Sequence, residues 1–500
     1  MKVPLKIELL NDKVDIIYNG ESHIQKLPIL PSVYLLEDLK IGENYSEKLL
    51  KKILRKDEIK TVYKKSFNSL YDFYSAKKEF ANDIIYTEEY LNQLYLENKD
   101  FQIDCKEPVT MFFDIECETN GSQRFPEAKE IPILLITTKI NGVTKIFDTY
   151  SLDEEQMLLN FLTYVSKTNP DILCGYNIFK FDLPYILERC KINQISPENF
   201  LNRNSNKEIK LERISFYGRI IYDLYEQCAA DNKLRKLKNL KLNTVSKHFK
   251  FGSKIDIDFI KELYTTRTDQ DRKDLFLKYA TTDVDLCEKI FDLYYLTKYH
   301  LAHMLNVSLN DAVNAYPSFI PNLFHSRPLS QAGYIPEKSN IENYPIFQKQ
   351  VTLGKKLYQG AIAKIFKTGL FDKVTHIDYS SMYPNLMITF NISPENVKLL
   401  QIKPYEHKFV FSKTDEVIIA EFPDELLNRN LVIEISLHDG IIVKNLKECY
   451  AQRLIYKKRA NETGSTSDRS IENIFNIHKE RFIKFSKCHI IEIRVRCLIA

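Results

Sequence analysis

The sequence predicts a multidomain protein of mixed α/β and α+β class, and three observations carry that prediction. The 500 residues are 44% apolar and 28% charged, a globular composition on a chain too long for one hydrophobic core. Between residues 109 and 190, short apolar runs alternate with helical patterns, as in a mixed sheet flanked by helices. Beyond residue 353, strand-like runs precede two helical stretches around a polar loop, which predicts a second sheet followed by an αα-hairpin.

Residues 1–107 hold short apolar runs (KIELL, VDIIY, SVYLL) and helical patterns near 71–80 and 88–96, expected to form a small N-terminal α+β domain. Residues 108–305 form the next expected domain. Its first strand is VTMFFDIE at 109–116, an apolar run ending in acids. Strands follow at 132–140 and at KIFDTYSL, then a helix near 153–166, a strand at 171–177, a helix at 183–190 and a long helix over about 270–306. Pro317, Pro321, Pro328 and Pro336 break residues 306–352 into a connector. Residues 353–440 read as a sheet region, with strands at 373–380 (KVTHIDYS), EVIIAEFP and LVIEISL. Residues 441–487 read as the αα-hairpin, with a polar loop at 461–468, and residues 488–500 as an aberrant tail.

The net charge of +4 carries no global nucleic-acid signature. Residues 233–254 nevertheless form an acid-free basic stretch, which reads either as a solvated helix face or as a patch that follows phosphates. Nine scattered cysteines, an odd number with no C-x-x-C, fit a reducing compartment and argue against a zinc site. No apolar run reaches the length of about 18 that a membrane helix needs. Asn11, Asp12 and Asp15 stand where a secretion signal would need its apolar core. An intracellular protein, neither secreted nor in a membrane, is expected.

Four carboxylate-bearing motifs follow in order: Asp114-Ile115-Glu116, Asn177 to Asp182 (N-x-x-x-F-D), Tyr279 to Asp283 (Y-x-x-x-D) and Asp378 to Pro384 (DYSSMYP). A lone D-x-E is most often a solvated strand end, and Asn and Asp commonly start turns. The ordered set is harder to dismiss. Hydrolysis with two metal ions needs carboxylates that converge on a pair of cations, and Mg²⁺ and Mn²⁺ prefer oxygen ligands. On a strand, Asp114 and Glu116 lie on one face because side chains alternate. On a helix, Tyr279 and Asp283 stack at i, i+4, where the phenol can orient an attacking water.

FFDIE, GYNIFKFDLPYI and YATTDVD resemble the three exonuclease motifs of family B DNA polymerases. The resemblance implies a ribonuclease-H-like domain that removes 3′-terminal nucleotides. It assigns Asp114, Glu116, Asp182 and Asp283 as ligands of two Mg²⁺ or Mn²⁺ ions, with Tyr279 assisting the water. Asn177 and Phe181 would contact the single-stranded 3′ end, where an aromatic ring can stack on a base. GRIIYDL at 218–224 and LKLNTVSKHF at 240–249 also resemble segments between the second and third motifs.

In the second half, Tyr358-Gln359-Gly360-Ala361 resembles the family's Y-x-G-[GA] segment, which implies contact with the primer–template DNA through Tyr358 and Gly360. THIDYSSMYPNLMITFNISPEN at 375–396 resembles D-x-x-S-L-Y-P-S of the palm, with Met382 for the common Leu and Asn385 for the common Ser. It implies that Asp378 binds a pair of catalytic metals, that the backbone around Ser381 and Met382 holds the dNTP, and that Tyr383 packs against its sugar. The hairpin resembles the fingers, so Arg453, Lys457 and Lys484 would contact the triphosphate. Glu480 departs from the family's Gln, and Phe485 to His489 replace Asn-Ser-x-Tyr-Gly. No D-T-D motif follows among the 500 residues.

The expectation is therefore an N-terminal portion of a family B polymerase acting at sites of replication, with a complete exonuclease and an incomplete palm and fingers. It would degrade DNA but not extend it without a second polypeptide that supplies the remaining palm and thumb. A frameshift, an interrupted gene or a split polymerase would each fit the loss of pattern. A stand-alone exonuclease, or a non-enzymatic DNA- or nucleotide-binding remnant or assembly subunit, are the alternative readings.

Overall fold

The apolar run of TMFFDIEC, rich in β-formers, favours an extended strand, and this strand is the centre of the sheet that carries the clustered acids. The structure, a computed structural model, describes residues 4–18, 21–35, 45–53, 58–86, 90–97, 107–117, 126–150, 152–255, 270–315, 323, 327–335, 368–370, 382–393, 395–424 and 428–485. In chain order the strands are β1 (Lys6–Leu9), β2 (Lys13–Tyr18), β3 (Glu21–Lys26), β4 (Ser32–Leu35), β5 (Tyr45–Ile53), β6 (Glu58–Ser66), β7 (Ile84–Tyr86), β8 (Thr110–Cys117), β9 (Ile133–Ile140), β10 (Val143–Asp148), β11 (Ile172–Gly175), β12 (Ile220–Asp223), β13 (Tyr334–Ile335), β14 (Val397–Pro404), β15 (Val410–Lys413), β16 (Val417–Asp424) and β17 (Arg429–Ser436). The helices are α1 (Leu70–Glu79), α2 (Tyr90–Glu97), α3 (Glu154–Thr168), α4 (Asp182–Ile192), α5 (Glu198–Leu201), α6 (Leu224–Ala230), α7 (Leu242–His248), α8 (Gln270–Leu305), α9 (Leu309–Asn314), α10 (Met382–Thr389), α11 (Ile441–Thr463) and α12 (Thr466–Phe485).

Two compact units result, one from residues 1–28 and 99–314, the other from 29–98 and 315–500. The first is built on a five-stranded sheet in the order β10-β9-β8-β11-β12. β8 pairs antiparallel with β9, setting Asp114 opposite Thr137, and parallel with β11, setting Phe112 opposite Cys174. β11 and β12 are buried along their whole length, as strands of a parallel pair covered on both faces must be. On one face, Phe161, Leu162 and Val165 of α3 and Leu183 and Ile186 of α4 pack against Phe113 and Ile115. On the other, Phe276 and Ala280 of α8 pack on Leu135, and Phe291 meets the rings of Phe112 and Tyr222.

Polar links hold this frame. Asp153 caps α3 by accepting from Gln156 N, and Asn169 ends it in the left-handed region at φ 44°. Glu154 accepts from Ile133 N at 2.7 Å and from Arg189 Nε at 2.8 Å, so one carboxylate joins β9, α3 and α4. Asp171 accepts from Val109 N and pairs with Arg203, which fixes the entries to β8 and β11.

Residues 1–107, expected as one domain, contribute to both units. The sheet β1-β2-β3 belongs with the first, because Lys6 donates to Phe216 O at 2.7 Å and Tyr217 donates to Asp15 at 2.5 Å. Residues 29–98 belong with the second. There β13 joins β5 at the edge of the sheet β13-β5-β6-β4-β7, and Arg327 donates to Tyr95 O. Neither link is visible to local periodicity, since each joins residues about two hundred or more positions apart.

The second unit also holds an antiparallel sheet, β14-β17-β16-β15. Its buried face (Ile418, Ala420, Ile433, Ile435) packs against Met387 of α10 and Ile442 and Leu446 of α11. The expected strand at 373–380 lies outside the described residues. The expected polar loop at 461–468 is shorter than its composition suggests. Gly464, at φ 69°, ends α11, and Ser465 caps α12 by accepting from Asp468 N, so only Gly464 and Ser465 remain outside the helices.

Candidate active site

Strand alternation points Asp114 and Glu116 of β8 the same way, and both are only partly exposed. Tyr279 and Asp283 lie one turn apart on α8, which crosses that face of the sheet. Carboxylate oxygens of Asp114, Glu116 and Asp283 all lie within 4.8 Å of one another. Asp182, the first residue of α4, is buried beside them. Its Oδ1 accepts from the amide of Ile115, the residue between the two β8 acids, at 3.2 Å. The exonuclease-motif carboxylates thus meet in one place, three in mutual reach and the fourth tied to the strand that carries two of them.

A fifth participant, Lys254, was not among the expected site residues. Its Nζ is paired with Asp283 Oδ2 and lies 3.4 Å from Tyr279 OH and 5.3 Å from that ring's centroid. The segment is held there by Lys254 N donating to Asn243 of α7 and by Lys289 of α8 donating to Phe251 O. Ile255 packs with Phe276 and Ala280. In the sequence Lys254 is one lysine among many at the end of a basic stretch. The signal that could have singled it out is its apolar successor, Ile255, at a place where the stretch turns inward.

Burial and like charge dominate the electrostatics. Burial first, then the charge of Asp283, pushes the Asp114 carboxyl up to about 7, against the pull of Lys254. Glu116 is driven well above the usual carboxylate range by burial and by Asp114 and Asp283, and Asp182 by burial and Asp114. Burial also raises Asp283, with Lys254 opposing. Burial works against a charged Lys254, but Asp283, Tyr279 and Asp114 outweigh it and hold the ammonium above its ordinary range. One lysine cannot neutralise this many carboxylates. Asp283 Oδ1, moreover, is buried without a hydrogen-bond partner. An all-oxygen donor set with surplus negative charge and an orphaned buried carboxylate oxygen fits a hard divalent cation.

Lys254→Met is expected to lower the kcat of any metal-dependent reaction at this site about 100-fold, because it removes the cation paired with Asp283 and next to Tyr279. Steady-state kinetics check this; an unchanged kcat would make Lys254 a bystander.

The other expected site residues are placed as follows. Asn177 follows β11 at φ 66°, and Phe181 immediately precedes α4, its ring 5.4 Å from that of Tyr185. Met382 and Tyr383 open α10, and Lys484 lies in the last turn of α12. Arg453 is turned toward α12, 3.7 Å from the buried Glu472, whereas Lys457 is exposed, so the expected pair does not share one environment. Tyr358, Gly360, Asp378 and Ser381 lie outside the described residues.

A ribonuclease-H-like sheet with a buried, metal-competent carboxylate cluster defines an exonuclease-type domain. The comparisons agree and go further. The family model described as "DNA polymerase family B, exonuclease domain" matches residues 72–245, and "DNA polymerase family B" matches residues 327–477. Together they cover more than half of the chain, which belongs to DNA polymerase family B. The exonuclease match stops short of Lys254, Tyr279 and Asp283; the fold itself brings these to the site.

Among curated proteins, the DNA polymerase delta catalytic subunit of Oryza sativa subsp. japonica is 26% identical over 63% of this chain and 32% of its own length. The DNA polymerase of Archaeoglobus fulgidus is 30% identical over 58% and 34%, and DNA polymerase 120R of Invertebrate iridescent virus 3 is 28% identical over 75% and 38%. The chain thus spans about a third of the length of the curated relatives it matches. The solved family B DNA polymerase of Pyrobaculum calidifontis shares the fold with a TM-score of 0.69 at 16% identity, over 97% of this chain and 68% of that one. Among the described residues, no helix is long and apolar enough to cross a membrane.

Proposed function

We propose that this chain removes nucleotides from the 3′ end of DNA, at a site where Asp114, Glu116, Asp182 and Asp283 hold two Mg²⁺ or Mn²⁺ ions. The observation that carries the reading is the convergence of Asp114, Glu116 and Asp283 within 4.8 Å, with one Asp283 oxygen buried and unpartnered. Ions in such a site supply a water nucleophile near neutral pH and offset charge on the leaving oxygen. The protein's own groups do the rest. Asp182 accepts from the β8 backbone at Ile115, which holds its carboxylate beside the other three. Lys254 opposes the burial that raises Asp283 and steadies the Tyr279 hydroxyl, which orients the attacking water. Asn177 and Phe181, on the loop leading into α4, receive the unpaired terminal nucleotide, with Phe181 stacking on its base.

For the second half, we read Asp378 as a ligand of catalytic metals, Ser381, Met382, Tyr383, Arg453, Lys457 and Lys484 as dNTP contacts, and Tyr358 and Gly360 as template contacts; the second family match supports this. Nucleotidyl transfer needs carboxylates on both sides of the metal pair, and these 500 residues hold one palm motif of that kind. A polypeptide of these residues is therefore expected to shorten DNA but not to extend it unless a second polypeptide supplies the other carboxylate. The test is a primer–template with Mg²⁺, with and without dNTPs, and the products sized on a gel. Shortening in both arms is expected. Robust extension by the chain alone overturns the polymerase part. No shortening beyond that of Asp114→Ala overturns the nuclease and favours a DNA-binding subunit.

A further inference from the structure

We infer that Asp223 is a positioning residue for the loop that receives the DNA 3′ end, an inference that rests on the reading of Asn177 and Phe181 given above. Asp223 ends β12 and caps α6. It is buried, and it is not one of the three clustered acids. Its carboxylate gathers three backbone amides: Oδ1 accepts from Asn177 N and Tyr225 N, each at 2.9 Å, and Oδ2 accepts from Phe179 N at 3.1 Å. Asn177 is in the left-handed region, which turns its amide and that of Phe179 toward one point; such a concavity of N–H groups binds an anion. The turn is completed by Lys180 N and Phe181 N, both donating to Asn177 O at 3.1 Å.

Beneath this loop, Gly175 lies so close to β8 that a Cβ there would stand 2.7 Å from Phe113 O and 2.5 Å from Ile178 Cγ2. The segment 175–182 is therefore pinned at three places: by Gly175 on the strand that carries Asp114, by Asp223 at the turn, and by Asp182 on Ile115 N. The first and last set the metal-binding end of the loop. Asp223 alone among these holds the stretch that presents Asn177 and Phe181. A neutral amide in its place turns an NH₂ group toward at least one of the three donors and leaves that amide buried without an acceptor.

The consequence is a split between binding and chemistry. The full chain carrying Asp223→Asn is expected to show a KM for a single-stranded oligonucleotide about tenfold above wild type, the worth of one charge-assisted hydrogen bond. Its kcat should stay within about threefold, since Asp114, Glu116 and Asp283 are untouched. Affinity is read separately, in an Asp114→Ala background with Ca²⁺, by anisotropy of an oligonucleotide labelled at its 5′ end, and should fall by the same factor. Unchanged KM and affinity overturn the inference, as does a loss of kcat at unchanged KM, which marks Asp223 as structural only. If Asp223→Asn does not fold, Asp223→Glu, which keeps the charge and displaces it by one methylene, is read by the same criteria. If wild type cleaves nothing, the nuclease reading falls, but the affinity comparison still decides the role of Asp223.

Discussion

Asp114→Ala is expected to abolish removal of 3′-terminal nucleotides, with kcat falling about 10³-fold or more, because the site loses a ligand that no neighbour can replace. Asp114 sits in the middle of β8, opposite Thr137 of β9, and each neighbouring acid is carried by its own position on β8, α4 or α8. Asp283→Ala should cost as much. The double variant should be scarcely worse than either single one, since groups that act as a unit are not additive. A 3′-labelled single strand incubated with Mg²⁺ and sized over time measures this. Residual activity within tenfold of wild type would place the chemistry elsewhere. Asp114→Asn adds a finer test. It preserves shape and burial while removing charge, so its loss of activity reports the charge rather than a cavity.

In chelator at pH 8, Asp114→Asn is expected to raise the melting temperature of the exonuclease unit by about 5 °C while destroying its activity; for a domain of this size about 2–4 °C accompanies each kcal/mol. The metal-free site is a cluster of buried like charges, and an amide relieves it. The sign follows from the shifts. Asp114 ordinarily titrates near 3.8 and does so at about 7 in the folded protein, so between those values the folded state binds more protons than the unfolded state. The Asp114 contribution to metal-free stability therefore falls as pH rises from about 4 to 7, by up to about 1.4 kcal/mol per unit, and flattens above. Added Mn²⁺ or Mg²⁺ binds only the folded site and should raise the melting temperature of wild type at pH 8. The same ions should do little for Asp114→Asn. A wild-type melting temperature in chelator that rises from pH 5 to 8 would contradict the account.

Much of the site is legible in local pattern. D-x-E on an apolar run is enough to place Asp114 and Glu116 on one face of a strand, and Y-x-x-x-D within a long helical pattern is enough to stack Tyr279 with Asp283. Both follow from the repeat of the element, two residues in a strand and nearly four in a helix. The helices at 154–168 and 270–305 and the strands at 417–424 and 429–436 fall close to where periodicity places them. The loop at 461–468 does not, because its polar residues are capping residues and their hydrogen bonds extend the helices inward from both sides.

What the sequence by itself determined is the kind of chemistry and the lineage: oxygen ligands in a fixed order on elements whose local geometry is written in their own spacing. Only the tertiary structure decided which charges share the site and at what cost. Lys254 reads as part of a solvated face or a phosphate-following patch until the packing of Ile255 carries it to Asp283. Asp223 is only one residue of GRIIYDL until the turn at Asn177 brings two amides to it. Arg453 reads as a triphosphate contact beside Lys457 until Glu472 is found across the hairpin. Residues 1–28 and 29–98 read as one domain until distant partners divide them. In each case the deciding contact joins groups that no local period relates, and the strength of that contact depends on burial, which exists only once the chain has folded.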